Sequence, residues 1–473
     1  MAEGKKPLAL HWKIMIGLLA GIVWAVVSAF LGLSDFTNDW IAPFGDIFLR
    51  LLKLIAVPLV LFSIISGIGG LGSPDTLGRL GAKTLLAYLG TTVTAVGLGL
   101  LLVNLIAPGK LVDDNARIDN RLAYEIWAKS EGIVLLDEDC MSCKPELADR
   151  YDVVSNRMGN EDVDPDLVAK KEKVDKRPLA FFINMVPDNL FLALGDNRLM
   201  LQIIFFGLFF GISLLFIPDE KSKPVKDVVE SINLVFLKMV DLVMKASPFL
   251  VFALMAGVIA DMAGDNIGRM VDIFAGLSYY AVVVLLGLAL LGFGLYPLVV
   301  HLFVKKISYK AFMKKLSPAQ LLAFSTSSSA ATLPVTLDCV EKGVGVDRKI
   351  SGFVLPIGAT VNMDGTSLYQ AIAVIFLAQI HMVDLTLTQQ LTIVLTATLA
   401  SIGSAAVPSA GIIMLIIVME AVKLNPAWIA LILPIDRILD MCRTVVNVTG
   451  DATVATIIAD SEDALHPGIN QSE

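Results

Sequence analysis

The chain is poor in the side chains on which many soluble enzymes depend. Its 473 residues include only four histidines and four cysteines. His11, His301, His381 and His466 lie far apart and complete no metal motif. Cys140 and Cys143 form a CxxC, but no second pair closes a zinc site, and Cys339 and Cys442 stand apart. No GxxxxGK[ST] loop occurs, so ATP hydrolysis on this chain is excluded as an energy source. HExxH and GxSxG are absent too, and no other motif argues for an enzyme. Charged residues make up 17% of the chain, and its net charge of -8 argues against a nucleic-acid partner. No small-residue cleavage pattern follows the first apolar run, which reads as a membrane span and not as a removed signal.

What is abundant is apolar surface. Hydrophobic residues reach 56% and the mean hydropathy is +0.74. That exceeds what one soluble core needs, so the excess must be buried in lipid. Runs such as Ile14–Leu31, Leu199–Phe216 and Tyr279–Val300 reach the roughly 18 residues that cross a bilayer. The pattern predicts an all-α polytopic membrane protein. Its eight spans fall near 11–33, 40–71, 79–107, 188–216, 226–261, 267–304, 345–380 and 426–459. Basic residues set the orientation. Lys5, Lys6, Arg79, Lys83, Lys221, Lys223, Lys226, Lys305, Lys306, Lys314 and Lys315 all fall on one side. That side is expected to be cytoplasmic and to hold both termini.

On the other side lies a polar stretch from about Lys110 to Arg177, expected to be an external loop, partly disordered, with short helices at its flanks near Asn104–Leu111 and Phe181–Leu192. Within it Cys140 and Cys143 read first as loop thiols without a role. A local disulfide is the alternative.

Two segments, 310–341 and 386–422, fit no ordinary span. The first holds Ser325-Thr-Ser-Ser-Ser-Ala-Ala-Thr-Leu-Pro334 and the second Ser401-Ile-Gly-Ser-Ala-Ala-Val-Pro-Ser-Ala-Gly411. Each is an apolar arm, a small-residue turn and a second arm. Each precedes a span that opens on the same tripeptide, Leu355-Pro-Ile and Leu433-Pro-Ile. One follows a cytoplasmic loop and the other an external loop, so they enter from opposite faces. Paired interrupted segments in two repeats point to a transporter's central site.

The last span carries the chemistry. At about 100° per residue, Asp436, Asp440, Arg443, Thr444, Asn447 and Asp451 share an arc of roughly 100°. Most other side chains there are apolar, Arg437 being an exception. A charge at the bilayer centre costs about 2.5–3.5 kcal/mol, so a charged stripe marks a pathway or a ligand. Arg443 offers a planar fork for a carboxylate. Asp440 suits an ammonium, and the two together fit a zwitterion with an extra carboxylate. Asp451 is a hard oxygen ligand suited to Na+. Thr444 and Asn447 add neutral contacts. In the preceding span Gly358, Thr360, Asn362 and Asp364 share no helical face, and glycines flank them. A locally unwound backbone there would free carbonyls for cations. Tyr88, Thr91 and Thr92 form a polar spot in the third span and a candidate second wall, although threonines in a span commonly bond their own helix.

At these residues the chain resembles the glutamate/aspartate transporter family, the dicarboxylate/amino acid:cation symporters that include the excitatory amino acid transporters. The resemblance rests on the Ser327-Ser-Ser turn with Thr332-Leu-Pro, on Asn362-Met-Asp-Gly-Thr, on Ser401-Ile-Gly-Ser, and on Asp440-x-x-Arg-Thr-x-x-Asn-x-x-x-Asp451. It implies two re-entrant helical hairpins, inverted repeats and an elevator movement. The scaffold would comprise residues 1–78 and 188–266, and would trimerise. The transport domain would comprise 79–107 and 267–462, leaving 108–187 as an extracellular insertion and 463–473 as a cytoplasmic tail. An uncoupled anion conductance is implied as well.

By matched position, Asp440 would hold the substrate's ammonium and Arg443 its side-chain carboxylate, with Thr366 and Asn447 in contact. The first hairpin's turn, Ser327, Ser328 and Ser329, and the second hairpin at Val407 and Gly411 would close around it. Three sodium sites are implied. One uses Gly358, Asn362, Asn447 and Asp451; another Thr360, Ser401, Ile402 and Ser404; a third Tyr88, Thr91, Thr92, Asn362 and Asp364. Gln370 stands where proton-coupled members have glutamate, which favours Na+ alone. Ser327 and Met441 occupy the positions where members often carry a second arginine. A neutral exchanger is disfavoured by Arg443. A C4-dicarboxylate carrier is disfavoured by Asp440, which a substrate without an amine would leave unpaired.

Overall fold

The computed structural model describes residues 10–69, 79–133, 135, 140–158, 183, 186–195, 199–263, 267–402 and 410–466. No strand occurs among them; apart from one isolated bridge between Val346 and Leu465, the regular structure there is all helical. Lipid explains this: a helix satisfies all its own backbone groups where water is absent.

Helices occur within each predicted span. α1 is Leu10–Leu31, α2 is Ala42–Gly69 and α3 is Arg79–Ile106. The fourth falls on a short helix, Leu190–Gly195, and then α6, Met200–Leu215. α7 runs from Asp219 to Ala263, starting earlier than its hydropathy suggests, because the polar turn Asp219–Lys226 is helical too. α8 is Ile267–Ala289 and continues through a π segment, Leu290–Leu295, into α9, Tyr296–Phe303. By length and composition alone, three helical stretches among the described residues could cross a membrane: Arg79–Leu111, Ala275–Phe303 and Arg348–Ile380. The bent pair Asp219–Val240 and Lys245–Gly257 would make a fourth.

Two packing groups emerge. α7 lies along α1 and α2, and α6 lies on α2. The α1–α7 contact is close: a Cβ on Gly21 would lie 2.6 Å from the Phe252 carbonyl oxygen. Small residues let membrane helices approach in this way. The second group gathers around the last helix, α16, Leu433–Ser461. Against it pack α10 (Tyr309–Thr326), α12 (Arg348–Val361) and α13 (Asp364–Ile380), while α3 lies along α13. α11 (Ser329–Asp338) folds back on α10, and α14 (Leu387–Ile402) pairs with α15 (Ala410–Ala421). The two odd segments are therefore each two packed arms. At one end of this group Arg79 and Lys83 reach Glu462, both at 2.5 Å, and Lys306 reaches Asp460 at 3.0 Å.

The polar stretch after α3 differs from expectation. Between its flanks it contains α4, Asp114–Ser130, and α5, Ala148–Met158. Asp113 caps α4 by accepting from the Asn115 and Ala116 amides at 2.9 and 3.2 Å. α4 buries charged groups. Arg121 pairs with Glu125 at 2.8 Å and donates to the Met382 carbonyl at 3.0 Å, just past the end of α13. Arg117 donates to the Gln379 carbonyl. These arginines satisfy carbonyls that a helix C-terminus leaves open. Cys140 and Cys143 are disulfide-bonded, which corrects the reading of them as thiols without a role. The loop they close presents the Met141 and Ser142 amides to Glu125, each at 2.8 Å.

Candidate functional site

Every member of the α16 stripe is buried: Asp436, Asp440, Arg443, Thr444, Asn447 and Asp451. The stripe therefore faces protein, as a helix with charges on one face must in lipid. Pro434 in the first turn suits a helix start, where no amide partner is needed.

Arg443 is wholly buried and held from three sides. Its Nη2 lies 2.9 Å from Asp440 Oδ1, and its Nη1 lies 3.0 Å from Asp436 Oδ1. The Tyr369 ring lies beneath the guanidinium at 3.8 Å. Arg443 Nε and Nη1 make no aligned hydrogen bond among the described residues, so the fork retains donors for another acceptor. Above it sits the first turn of α15. A Cβ on Gly411 would lie 3.3 Å from Arg443 Nη1 and 3.2 Å from Thr366 Cγ2. Asp440 is engaged on both oxygens, since Arg437 Nη1 lies 3.3 Å from its Oδ2. Two carboxylates thus face two guanidiniums in a buried pocket, which leaves the set formally neutral. Thr444 donates to the Asp440 carbonyl at 2.8 Å, so its hydroxyl is spent on its own helix.

The first hairpin turns at the serines. Ser327 ends α10 in the left-handed conformation, φ 52° and ψ 35°. Ser328 is extended and caps α11 by accepting from the Ala331 amide at 3.2 Å. Ser327 and Ser329 are buried, and the Ser327 hydroxyl has no hydrogen-bond partner among the described residues.

A second cluster surrounds the break between α12 and α13. Asn362 (φ -113°, ψ 105°) is extended, Met363 (φ -127°, ψ 59°) is neither extended nor helical, and helix resumes at Asp364. This is the unwound backbone that the flanking glycines predict. Asn362 Nδ2 donates to Asp451 Oδ1 at 3.0 Å. Thr91 and Thr92 approach Asn362 Oδ1 at 3.4 Å, and Thr92 donates to Asp364 Oδ1 at 2.7 Å. Tyr296 donates to the other oxygen of Asp364. A Cβ on Gly358 would lie 2.5 Å from Asp451 Oδ1 and would also strike the Tyr88 hydroxyl, so only glycine fits. Tyr88 donates to the Val354 carbonyl at 3.0 Å. Asn447 accepts from the Gly365 amide at 2.8 Å and joins this cluster to the Arg443 pocket.

Asp364 and Asp451 are both buried, and neither pairs with a basic side chain among the described residues. Two buried carboxylates without a counter-charge are costly. The donors around them are all oxygen: carboxylate, amide and hydroxyl. That set fits a hard cation such as Na+ and would suit a soft metal poorly.

A family profile described as "Sodium:dicarboxylate symporter family" matches residues 10–461. The chain belongs to this family. An "Excitatory amino acid transporter" of Caenorhabditis elegans is 37% identical over 454 residues, covering 94% of this chain and 85% of the relative. A "Proton/sodium-glutamate symport protein" of Bacillus subtilis is 32% identical, covering 96% and 93%. "Excitatory amino acid transporter 3" of Oryctolagus cuniculus is 34% identical, covering 95% and 85%. For this symporter the resemblance carried by Asn362-Met-Asp-Gly-Thr and the α16 stripe holds.

The remaining expected residues are less gathered. Thr360, next to last in α12, has an exposed side chain that bonds the Pro356 and Ile357 carbonyls. Ser401 and Ile402 end α14, which touches α12. Ser404 and Val407 lie outside the described residues. Gln370 is buried in α13. Sequence reasoning missed Tyr296 at Asp364 and Tyr369 beneath Arg443. A tyrosine in an apolar run reads as core, and nothing in its spacing marks the hydroxyl or ring as part of a site. From sequence alone Asp436 lies on the stripe without a role, and Arg437 is only an exception to its apolar remainder.

Proposed function

We propose that this symporter carries acidic amino acids, aspartate or glutamate, by coupling their uptake to Na+. The observation that carries the reading is Arg443. It is a fully buried guanidinium with unspent donors, set under the Gly411 turn and beside Asp440. A buried, bidentate cation selects a carboxylate side chain. The names of the relatives, excitatory amino acid transporters and a glutamate symport protein, agree with it. Asp440 takes the ammonium, with Thr366, Asn447, Ser327, Ser328, Ser329, Val407 and Gly411 closing the site.

Three sodium sites follow the sets given above, and the clusters around Asp451 and Asp364 support two of them. Eight spans and two re-entrant hairpins cross the cell membrane with both termini cytoplasmic. The α1–α2–α6–α7 group forms a trimeric scaffold, and the group around α16 moves as the elevator. Its separate packing supports that division. An anion conductance accompanies transport. With three Na+ per anionic substrate, tenfold Na+ gradients and 100 mV supply ~9 kcal/mol, enough for about a million-fold accumulation.

Uptake into proteoliposomes tests the reading, with labelled aspartate, glutamate, serine and succinate and with Na+, H+ and K+ gradients varied separately. Aspartate or glutamate uptake that needs Na+ is expected. Serine exceeding aspartate, or uptake unchanged without Na+, overturns it. One observation favours a second reading, a C4-dicarboxylate carrier. The sequence objection was that Asp440 would be left unpaired, yet Arg437 already pairs with it.

A further inference from the structure

We infer that α4 clamps the base of the second hairpin. Arg121 and Trp428 are its positioning residues: they hold the arms α14 and α15 in place over Arg443 and so set the affinity for substrate. The inference rests on the substrate site proposed above and deepens it.

The two feet of that hairpin are far apart in sequence and lie together in space. The first arm is entered from the turn at Met382, before Leu387, and the second leaves through the turn at Lys423, after Ala421. Both turns are left-handed at residues other than glycine, with φ 50° at Met382 and 58° at Lys423. Such conformations persist where the surroundings hold them. The His381 ring, next to Met382, stacks on the Trp428 ring of the segment Pro426–Leu431, with centroids 3.4 Å apart and planes 10° apart. That stack joins the entry foot to the exit foot.

α4 grips both feet. At the entry, Arg121 Nη1 donates to the Met382 carbonyl at 3.0 Å and Arg117 Nε to the Gln379 carbonyl at 3.3 Å. At the exit, the Tyr124 ring meets the Trp428 ring edge-on at 5.5 Å. Arg121 and Tyr124 have no exposed surface, so both contacts are made away from competing water. Arg121 is itself fixed by Glu125, whose oxygens accept from the Met141 and Ser142 amides.

The far end of the second arm is at the site, where Gly411 lies against Arg443 and Thr366. α15 has 12 residues, a lever of about 18 Å. A tilt of roughly 5° at the feet moves its far end by about 1.5 Å over that length. Loosening the clamp therefore lowers the population in which Gly411 covers Arg443, and the apparent affinity falls with that fraction.

The test is calorimetric binding of L-aspartate to the purified full chain in saturating Na+, with hydrogen exchange on the same samples. In Arg121→Gln and in Trp428→Leu the aspartate Kd should rise by roughly tenfold, the scale of one lost hydrogen bond to a charged group. Exchange should rise across 387–402 and 410–421 and stay at the wild-type level in α1, α2 and α7, which a general loss of stability would not spare. Trp428→Phe, which keeps a ring between His381 and Tyr124, should retain most of the affinity. Arg121→Gln with Trp428→Leu should cost little more than either alone, because one clamp is released only once. Arg121→Lys keeps the charge beside Glu125 and carries the test, with a smaller rise, if the Gln variant does not fold. An unchanged Kd in both single variants overturns the inference. So does exchange that rises across 114–130 but not across 387–421, a Trp428→Phe variant as weak as Trp428→Leu, or a double variant whose effects add. Wild-type aspartate binding is measured first: its absence overturns the substrate site itself, whereas wild-type binding that the variants leave unchanged overturns only the clamp.

Discussion

Asn362 donates from Nδ2 to Asp451 Oδ1 at 3.0 Å, tying the unwound backbone after α12 to the last helix. The bond joins two of the segments that supply the oxygen-rich cluster. It also leaves the Asp451 charge uncompensated, because an amide hydrogen bond carries no net charge.

The first prediction concerns that charge. Asp451→Asn keeps the shape and removes the anion. A ligand at a hundred times its Kd stabilises a fold by about 2.7 kcal/mol, so wild type should melt several degrees higher in Na+ than in choline. The variant should lose most of that difference and should not be less stable in choline, since a buried unpaired charge has gone. An undiminished Na+ response would remove Asp451 from the ion site.

Thr92→Val isolates a single hydroxyl at nearly constant volume. Thr92 donates to Asp364 Oδ1 at 2.7 Å, and hydrogen bonds to charged groups contribute about 1.5–3 kcal/mol. The Na+ concentration for half-maximal uptake should rise by roughly tenfold or more. Aspartate affinity at saturating Na+ should stay near wild type. A change in aspartate affinity alone would place Thr92 outside the cation cluster.

Much of this site was legible because helical periodicity is strict. Asp436 to Asp451 lie on one arc, and lipid forbids leaving six such groups outward, so their burial followed. The break at Asn362–Met363 was legible from Gly358 and Gly365, which flank it. α4 was not, because its arginines and Glu125 read as solvent-facing when only composition is known. Their burial depends on open carbonyls at the end of α13, more than 250 residues away in sequence. Tyr296 and Tyr369 illustrate the same limit. Contacts made across the fold leave no local spacing to read.

Arg443→Cys should abolish concentrative uptake of aspartate and glutamate while the Na+-dependent melting shift persists, since Arg443 belongs to the other half of the α16 stripe. Removing one partner of a buried ion pair costs about 3–5 kcal/mol, here shared among Asp436, Asp440 and the substrate. A variant that still concentrates aspartate normally contradicts the assignment.

Glu125 gives a pH prediction outside the membrane. Burial raises its carboxyl pKa, but the bonds from Ser142, Met141 and Arg121 outweigh burial and hold it below the ordinary 4.5. A folded pKa lower than the unfolded one stabilises above the unfolded value. That stabilisation is lost as pH falls through the folded value. The attachment of α4 to the end of α13 should therefore be constant from pH 7 down to about 5 and weaken below 4.5. Hydrogen exchange across 114–158 reads it directly, with protection falling only in the acid range. Glu125→Gln should be less protected at neutral pH, because the Arg121 ion pair at 2.8 Å is gone, and should respond less to acid. Reducing the Cys140–Cys143 disulfide should act in the same direction by loosening the loop that presents the Met141 and Ser142 amides. If reduction lowered protection in wild type and in Glu125→Gln equally, the disulfide and the carboxylate would be acting independently, and the proposed link through those two amides would be wrong.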